Sequence, residues 1–544
     1  MAKYVFGIDL GTTYSCIAYV DGTGRATVVN NQEGTNTTPS VVNFASPSQV
    51  VVGQVAKENA VIDPQNTVAL VKTLMGKSNF AINYNGEDKS PEEVSSYILR
   101  KLTGDASKLI DTEVKDVVIT CPAYFGDAER KATKTAGEIA DLNVIEIISE
   151  PTAAAIYYGC VKADGDKTIL VYDLGGGTFD VTVMRVTEGV IEEICKEGNH
   201  DLGGKNWDDA VMQYLADEFC SETGFDGDFD DYAQQDLRIK AEKAKQQLSY
   251  REEVPVMLDA AGLRARISIS RTTFDEITQN LLNESIEKTD AAIATAEAKG
   301  YKVDEIILVG GSTRMPQVPK ILMEKYGIEP KVLDPDEAVA KGAAIYALGA
   351  YAGKVKDFKE KAEQGTMTEE EKEKAKKYAE ETVVKTEDVV ALRGKTIKIE
   401  LVANKSYALK VLRNGQETCC NMIIKNSKMV DNTVSVTKQF GTADDNQETA
   451  ELVVYESDFD SEYYDVDEDF TLGTCSLELP GNLPAGAPIQ VTFTLNNEGI
   501  LEVTGKDMTT NKEIHATMQA TAGTTMSKED VAAAKAKSKN IAVE

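Results

Sequence analysis

Two pairs of apolar runs, rich in β-branched and aromatic residues, each flank a glycine turn in the first half of the chain. The runs span residues 4–8 with 15–20, and 168–172 with 179–186. Each pair has the pattern of a β-hairpin. Asp-Leu-Gly opens both turns, at Asp9 and at Asp173. This recurrence predicts an internal duplication, with two related lobes that face one cleft.

Helical patterns lie between and after these hairpins. Residues 90–102 begin with Ser-Pro-Glu-Glu in good N-cap order, and residues 236–248 place apolar side chains on one helix face. A third glycine turn, at 310–314, follows the apolar run 305–309. Strands that alternate with helices predict an α/β domain, and such folds bind ligands at the carboxyl ends of buried strands.

The second half of the chain differs in composition. Residues 354–385 are rich in Lys, Glu and Ala and predict a charged connecting helix. Beyond about residue 396, short alternating strands separated by Asn-Gly, Pro-Gly and Asn-Glu-Gly turns predict a β-sandwich. We therefore expect an α/β domain at 1–353, a charged helix with a linker at 354–395, a sandwich at 396–522 and a short helix within 523–544.

Length, composition and net charge limit the classes of protein to which this chain can belong. A chain of 544 residues needs at least two domains, and 42% apolar with 27% charged residues is typical of globular proteins. The net charge of −31 repels phosphate backbones, so we expect no nucleic-acid partner. The sequence has no signal-peptide pattern and no run of about 18 apolar residues. We therefore expect a cytoplasmic protein that does not bind membranes.

The glycine turns have the composition of phosphate sites. A strand that ends in Asp and turns through Gly and hydroxyl residues presents consecutive backbone N–H groups to an anion. One such turn alone is more often an ordinary tight turn, but two could hold a triphosphate, with Asp9 and Asp173 binding Mg²⁺ through its waters. A P-loop is excluded, because Val71 and Val389 stand where the motifs ending at 76–78 and 394–396 require glycine.

Nine segments match the motifs of one family. Six are IDLGTTYS (8–15), CPAYFGDAER (121–130), SEPTAAAIYYG (149–159), YDLGGGTFDV (172–181), LVGGSTRMP (308–316) and DPDEAVAKGAA (334–344). Three more are MIIKNSKMV (422–430), TADDNQETAELVVYES (442–457) and NNEGILEVTGKD (496–507). Together they resemble the 70-kilodalton heat-shock chaperones. The resemblance implies a duplicated, two-lobed actin-like ATPase domain of α/β class, an all-β peptide-binding sandwich and, at 523–544, a vestigial lid helix.

The resemblance also implies a role for each matched residue. Those implied in ATP hydrolysis are Lys72, Glu150, Asp173 and Thr178, and those implied in holding Mg²⁺ are Asp9 and Asp173. Those implied in contacting ATP or ADP are Gly11, Thr12, Thr13, Tyr14, Gly176, Gly177, Gly204, Glu242, Lys245, Ser249, Gly311, Ser312, Arg314 and Asp336. Without the surrounding motifs, a charged surface helix would be the simpler explanation of Glu242 and Lys245.

Two further sets concern the second domain. Pro122 and Arg130 match positions that relay nucleotide state between domains, although a rigid turn explains Pro122 equally well. The residues that match the apolar peptide cleft are Leu409, Val411, Leu412 and Ala450, with core packing as an even alternative. Ala450 stands where the family has a larger aliphatic residue, which implies a deeper pocket.

The sequence departs from the family pattern at the adenine site and in the linker. Gln246 and Thr73 each stand where the family has arginine, and Gln246 removes a cation that would stack on the base. A cation–π contact contributes roughly 1 to 2 kcal/mol, so nucleotide binding about tenfold weaker is expected. Residues 388–392 resemble the family's linker, but a charged helix precedes them.

Three functions remain to be compared. The first is a chaperone that couples ATP hydrolysis to capture and release of unfolded peptide, with a J-domain co-chaperone and a nucleotide-exchange factor implied by the resemblance. The second is a small-molecule kinase or filament-forming ATPase of the actin and sugar-kinase superfamily, against which the C-terminal sandwich argues. The third is a binding module with a degenerate nucleotide domain, against which the retained site residues argue: Asp9, Lys72, Glu150, Asp173 and Thr178.

Overall fold

The computed structural model describes residues 4–77, 81–162, 165–187, 189–364, 366–368, 371–372, 398–496, 499–518 and 526–544. The strands of the first part are β1 Phe6–Asp9, β2 Tyr14–Val20, β3 Ala26–Val28, β4 Thr38–Pro39, β5 Val42–Ser46, β6 Gln49–Val52, β7 Thr67–Val68, β8 Ile82–Tyr84, β9 Glu87–Lys89, β10 Asp116–Cys121, β11 Asn143–Ser149, β12 Lys167–Leu174, β13 Phe179–Thr187, β14 Val190–Asn199, β15 Glu253–Ala260, β16 Leu263–Ser270, β17 Glu305–Val309 and β18 Lys331–Val332.

Helices alternate with these strands, and a mostly β region follows. The helices are α1 Gln54–Asn59, α2 Pro91–Leu109, α3 Asp127–Ile139, α4 Glu150–Lys162, α5 Gly204–Thr223, α6 Asp231–Leu248, α7 Arg271–Ile277, α8 Gln279–Ala298, α9 Gln317–Tyr326 and α10 Ala338–Gln364. The remaining elements are β19 Lys398–Glu400, β20 Ser406–Arg413, β21 Gln416–Ile423, β22 Thr433–Gly441, β23 Thr449–Ser457, β24 Tyr463–Asp465, β25 Thr471–Glu478, β26 Pro488–Asn496, β27 Leu501–Asp507, β28 Glu513–Met518, α11 Lys528–Ser538 and β29 Ala542–Val543.

Two sheets of matching topology organise the first part. Their strand orders are β11-β10-β1-β2-β3, with β4 paired to β2, and β18-β17-β12-β13-β14-β19. In each sheet an antiparallel hairpin, β1–β2 or β12–β13, continues into a third antiparallel strand, and its first strand runs parallel to β10 or β17. Both predicted hairpins are confirmed. We call the regions around the two sheets the first lobe and the second lobe.

Two helices cross where the lobes join. Helix α4 leads from the first sheet to β12, and α10 follows β18 and packs against β1, β2 and β10. At the crossing, a Cβ on Gly342 would lie 1.7 Å from the Ala153 carbonyl oxygen, so only glycine fits there. Helix α10 runs continuously to Gln364, so the expected boundary at 353 lies within a helix. The linker interpretation of 388–392 falls outside the described residues.

Local sequence explains several element ends. Ser90 accepts a hydrogen bond from the Glu93 N–H and Glu93 reaches back to the Ser90 N–H, so a capping box begins α2 as predicted. Asn414 and Gly415, both with positive φ (53° and 79°), connect β20 to β21. Two central residues with positive φ form the turn that suits the twist of a two-residue hairpin, and Asn-Gly adopts it readily.

The strands from β20 to β28 form a sandwich around one apolar core. One sheet has the order β24-β21-β20-β23-β25 and the other β22-β26-β27-β28. The first described strand after residue 397, β19, lies elsewhere: it pairs in parallel with β14, from Val190↔Lys398 to Glu192↔Glu400. Residues 398–400 were expected within the sandwich, but here they extend the second lobe's sheet.

Side chains fasten the sandwich to the second lobe. Lys425 Nζ lies 2.9 Å from Glu197 Oε1, and Lys428 Nζ lies 2.6 Å from Glu192 Oε1. The Lys196 N–H donates to Asn426 Oδ1 at 2.9 Å. All three contacts start from β14, so the strand that pairs with β19 also anchors the sandwich. Within the described part of the chain, no helix is long and apolar enough to cross a membrane.

The tail segment, residues 526–544, lies on the first lobe. Helix α11 begins at the Ser527 N-cap, as its sequence predicts, and packs against α3. Strand β29 adds in parallel to β6, giving a sheet of order β29-β6-β5-β7. The expectation of a vestigial lid helix on the peptide-binding sandwich is corrected, because backbone hydrogen bonds and ion pairs hold this segment to the first lobe instead.

Candidate functional site

A cavity of about 370 Å³ lies between the two lobes. All the sequence-predicted nucleotide and metal residues except Gly177 line it: Asp9, Gly11, Thr12, Thr13, Tyr14, Lys72, Glu150, Asp173, Gly176, Thr178, Gly204, Glu242, Lys245, Ser249, Gly311, Ser312, Arg314 and Asp336. Gly177 lies behind the wall, where a Cβ on Gly203 would meet its backbone nitrogen at 2.4 Å. The three glycine turns thus converge on one cavity.

Lys72 is the buried cation of this cavity. It lies in a short 3₁₀ turn after β7, is 5% exposed, and forms an ion pair with Glu150, the first residue of α4. Burial opposes the charged ammonium, but the carboxylates of Glu150 and Asp9 raise the pKa of Lys72. The side chain therefore keeps its charge inside the cavity.

Buried carboxyl groups outnumber Lys72 at the floor of the cavity. Burial, and then the charge of Glu150, raise the pKa of Asp9 from 3.8 to about 7. The same two causes raise the pKa of Asp173 well above its usual range. Asp180, which is buried next to this group but does not line the cavity, accepts from the Tyr124 N–H at 3.0 Å, and the same causes raise its pKa to about 7. Carboxylate oxygens gathered around an excess of negative charge suit a divalent cation.

Helix α6 forms one wall with its predicted face. Lys245 Nζ lies 2.7 Å from Asp208 Oδ1 and donates to the Gly204 carbonyl at 2.9 Å. Gln246, which also lines the cavity, is exposed and donates to Glu242 Oε1 at 3.2 Å. Helix α5 begins at Gly204, so the positive end of its dipole and the Lys245 ammonium lie at this wall, beside the carboxylates of Asp208 and Glu242.

The third glycine turn forms the opposite wall. Gly310 has φ +82°, and a Cβ there would lie 2.4 Å from the Leu174 carbonyl oxygen. Ser312 Oγ donates to the Gly175 carbonyl at 2.9 Å, which ties this turn to the second one. Arg314 Nη2 lies 2.5 Å from Asp336 Oδ2, and the pair borders the cavity mouth.

The loop between the two predicted relay residues lies against the sandwich. The Phe125 carbonyl accepts from Asn404 Nδ2 at 3.2 Å, and Tyr407 OH donates to Asp127 Oδ2 at 3.4 Å. Pro122 follows β10 directly, and Arg130 donates to the Ile147 carbonyl at 2.7 Å. The structure therefore places 122–130 between the cavity and the sandwich, with Arg130 holding α3 to β11.

The four predicted cleft residues do not share one surface. Leu409 and Ala450 are buried in the sandwich core, and Val411 packs against that core. Leu412 points to the other face of the sheet and is 59% exposed. Core packing, the alternative weighed for this set, describes three of the four in this conformation.

Several cavity residues were not identified from the sequence. Thr37, Asp208 and Tyr250 line the cavity, and Lys57 pairs with Glu242 above it. Their position at the cavity depends on which helices and loops face the cleft, which the local pattern does not specify.

Comparison with known proteins identifies the family. A model of the Hsp70 protein family matches residues 5–362 and 388–544. The chaperone protein DnaK of Thermotoga petrophila is 37% identical over 520 residues, covering 94% of this chain and 79% of that protein. The DnaK proteins of Thermosipho africanus (519 residues, 94% and 79%) and Thermotoga neapolitana (538 residues, 97% and 82%) are also 37% identical. This chain is a member of the Hsp70 protein family.

Proposed function

We propose that this protein binds ATP between its lobes, hydrolyses it with Mg²⁺ and uses the cycle to control capture and release of unfolded peptide by the sandwich. As an Hsp70 family member the chain is an ATP-dependent chaperone, and a sugar kinase or filament ATPase is not favoured. The observation that carries the detailed proposal is the convergence of three glycine turns and the Lys72–Glu150 pair on one cavity.

The two lobes are the halves of a duplicated actin-like ATPase domain. The matching strand orders of the two six-stranded sheets support this assignment, since each hairpin occupies the same place in its sheet. The Asp-Leu-Gly turn of each hairpin opens toward the same cavity. A triphosphate bound there would receive backbone N–H groups from both halves.

Catalysis follows from charge and position. Lys72 neutralises charge on the transferred phosphoryl group, Thr178 borders the terminal phosphate, and Glu150 and Asp173 orient the attacking water. No covalent intermediate is needed, because the residues act by positioning and electrostatics. Adenosine lies between the α6 residues Glu242, Lys245 and Ser249 and the wall made by Gly311, Ser312, Arg314 and Asp336.

The chemistry of the carboxyl cluster fits Mg²⁺. Asp9 and Asp173 would hold the ion, which supplies positive charge to the β- and γ-phosphates when bound. Among the described residues, no three acidic, imidazole or thiol groups are grouped to hold a metal directly. An ion that keeps most of its waters, as Mg²⁺ does, suits such a sparse set of protein ligands.

The proposed chaperone function also implies binding partners for this chain. Unfolded or extended polypeptides are the clients, and a J-domain protein and a nucleotide-exchange factor act on the ATPase cycle. The sandwich contacts at Phe125 and Asp127 support a route from the nucleotide to the peptide site through Pro122 and Arg130.

The test measures peptide release from the whole chain with and without ATP. Faster release with ATP, together with ATPase stimulation by an unfolded peptide but not by sugars, is expected. Stimulation by a sugar, or peptide release indifferent to ATP, would refute the proposal. Omission of Mg²⁺ under the same conditions tests the metal.

A further inference from the structure

One segment of the sandwich, residues 458–470, is made almost entirely of acidic and aromatic residues. It connects β23 to β25, contributes β24, and is described over its whole length. Seven of its thirteen residues are acidic and none is basic. Its four aromatic residues are Phe459, Tyr463, Tyr464 and Phe470. We call the surface that this segment forms the aromatic–acidic patch.

The sandwich holds the backbone of this segment in place. Strand β24 pairs antiparallel with β21 and forms one edge of its sheet. The buried Asn421 side chain donates from Nδ2 to the Phe459 and Ser461 carbonyls, both at 2.8 Å. The Asn421 N–H donates to the Glu462 carbonyl at 2.9 Å. Because these contacts order the patch in advance, a partner that binds to it loses little affinity to ordering this surface.

Two phenylalanine side chains of the patch contact each other and are nevertheless exposed. Phe459 is 47% and Phe470 is 39% exposed, and their ring centroids lie 6.1 Å apart in an edge-on arrangement. The Phe459 ring also lies 4.8 Å from the Tyr464 ring. Aromatic rings grouped at the surface leave apolar area in water, and this is typical of a surface that contacts a partner.

Four carboxylates of the patch are available to a partner. Ion pairs between described residues reach only three of the seven, and they come from Lys405, Lys410 and Lys438. The other four carboxylates belong to the exposed residues Asp460, Asp465, Asp467 and Asp469. No three acidic groups in the described chain converge to hold a metal ion. Carboxylates spread over a surface suit several cations on a partner chain better than a single ion.

Arg413, at the end of β20, shows which cation suits the rings. Its guanidinium carbon lies 3.9 Å from the centre of the Tyr463 ring, within the range of a cation–π contact. A flat guanidinium stacks on a ring face, whereas the lysine ammonium is compact and strongly hydrated. The same contact is open to a partner at Phe459 and Phe470, whose exposed rings have acidic neighbours in the chain.

We propose that the aromatic–acidic patch is a docking site for an arginine-rich segment of a partner protein, separate from the site of unfolded peptide. Arginines of that segment stack on Phe459 and Phe470, and the four unpaired carboxylates supply the opposite charge. The net charge of −31 favours a basic partner over an acidic one and speeds its approach. This docking requires neither ATP nor Mg²⁺, so it stands or falls independently of the proposed nucleotide cycle.

The test titrates the whole chain, without nucleotide, into a fluorescent peptide of alternating arginine and serine and follows its anisotropy. A peptide of alternating lysine and serine has the same length and charge. Phe459→Ser combined with Phe470→Ser removes the exposed rings. Asp469→Asn removes one free charge and keeps the shape of the side chain, so it tests the patch even if loss of both rings disturbs the fold. Glu451→Gln is the control, because it removes an exposed charge elsewhere on the sandwich.

We expect the arginine peptide to bind more tightly than the lysine peptide, and loss of the two rings to weaken its binding roughly five- to twentyfold. Asp469→Asn should weaken it about twofold, with Glu451→Gln unchanged. Equal binding of the two peptides, or equal losses in Asp469→Asn and Glu451→Gln, would indicate general charge attraction and overturn the proposal.

Two further outcomes would also overturn it. Displacement of the arginine peptide by an uncharged leucine-rich peptide would place it in the site of unfolded peptide. Dimers of the chain in sedimentation that are lost when Phe459 and Phe470 are replaced would make a second copy, rather than an arginine-rich partner, the occupant of the patch.

Discussion

Lys57 Nζ lies 2.6 Å from Glu242 Oε2, so one ion pair connects the two lobes above the nucleotide cavity. The ammonium also donates to the Tyr14 hydroxyl at 3.1 Å. Both charged side chains are about one-fifth exposed, 20% for Lys57 and 18% for Glu242. We therefore expect a nucleotide that leaves between these walls to separate the pair.

Lys57→Ala should therefore speed ADP dissociation by roughly two- to fivefold, the range expected of a partly exposed ion pair. Rapid-mixing fluorescence with a labelled ADP measures it. Lys240→Ala is the matched control, because its ion pair with Asp236, at 2.6 Å, stays within α6. Equal rates in Lys57→Ala and the intact chain would show that the pair does not limit release.

Lys72→Ala should abolish most hydrolysis while ATP still binds. In the proposed mechanism the Lys72 ammonium stabilises charge that develops in the transition state, so kcat should fall roughly 100-fold or more, with a smaller change in affinity. Single-turnover hydrolysis and equilibrium titration measure the two quantities. An unchanged single-turnover rate would remove Lys72 from the mechanism.

Gln246→Arg should tighten nucleotide binding by up to about tenfold, because it restores a cation that can stack on adenine. Gln246 is exposed and lines the cavity, so an arginine at this position can reach the base without displacing the core. Titration calorimetry measures the gain, with Gln247→Arg on the same helix as control. No difference between the two variants would place the base elsewhere.

Peptide should dissociate quickly even in ADP, because the described contacts of the tail segment are with the first lobe rather than across the sandwich. A lid slows dissociation of the peptide more than its association, so the association rate should be largely unaffected by the lack of a lid. Stopped-flow release of a labelled peptide from the whole chain and from a chain ending at residue 525 should give similar rates. If release instead takes many minutes and depends on residues 526–544, these residues act as a lid.

Docking of the sandwich should weaken as the pH rises from about 4.5, the ordinary pKa of a glutamate carboxyl, to about 7. Asp127 of the first lobe and Glu456 of the sandwich both lie near the Tyr407 hydroxyl, and burial raises the pKa of Glu456 to about 7. Burial, and then Glu456, raise the pKa of Asp127 as well. A raised pKa means that docking takes up protons, so its stabilisation is complete at low pH and is lost as the carboxyls ionise.

Amide exchange at Lys196, whose N–H donates to Asn426 across the interface, reports docking across the range from the ordinary pKa of Glu456, 4.5, to its raised value of about 7. Glu456→Gln should flatten the pH dependence, whereas Glu462→Gln, on a 66% exposed side chain, should not. A pH profile that is the same in the intact chain and Glu456→Gln would exclude this pair as the cause.

The cavity between the lobes could be predicted from the sequence because the residues that line its turns are local in the chain. Turns such as 9–14 and 173–178 combine glycine, hydroxyl and acidic residues within a few positions, and each lies next to a strand with a clear pattern. The recurrence of Asp-Leu-Gly at Asp9 and Asp173 predicted that these two turns face one cleft. Lys57 and Asp208 were not found, because a lysine or aspartate on a helix gives no local sign of what lies across the cleft.

The sandwich and the tail segment were harder to predict for different reasons. The alternation of side chains along β20 places Leu409 and Val411 on one face of the sheet and Leu412 on the other. It does not specify which of the two faces packs into the core. Strand β29 is only two residues long, Ala542 and Val543, and it forms because β6 offers an edge. Such pairing is a property of tertiary structure, which no local pattern contains.

The close crossing of α4 and α10 has a consequence for inherited variation. A side chain larger than hydrogen at Gly342 must push against the Ala153 carbonyl, and the two helices would separate where the lobes join. Such a substitution would misalign both halves of the cavity although no residue that lines it had changed. In a screen for loss of function, substitutions at Gly342 should therefore have effects like those at Lys72. Natural sequences should tolerate substitutions at exposed positions of α10 far more readily than substitutions at Gly342.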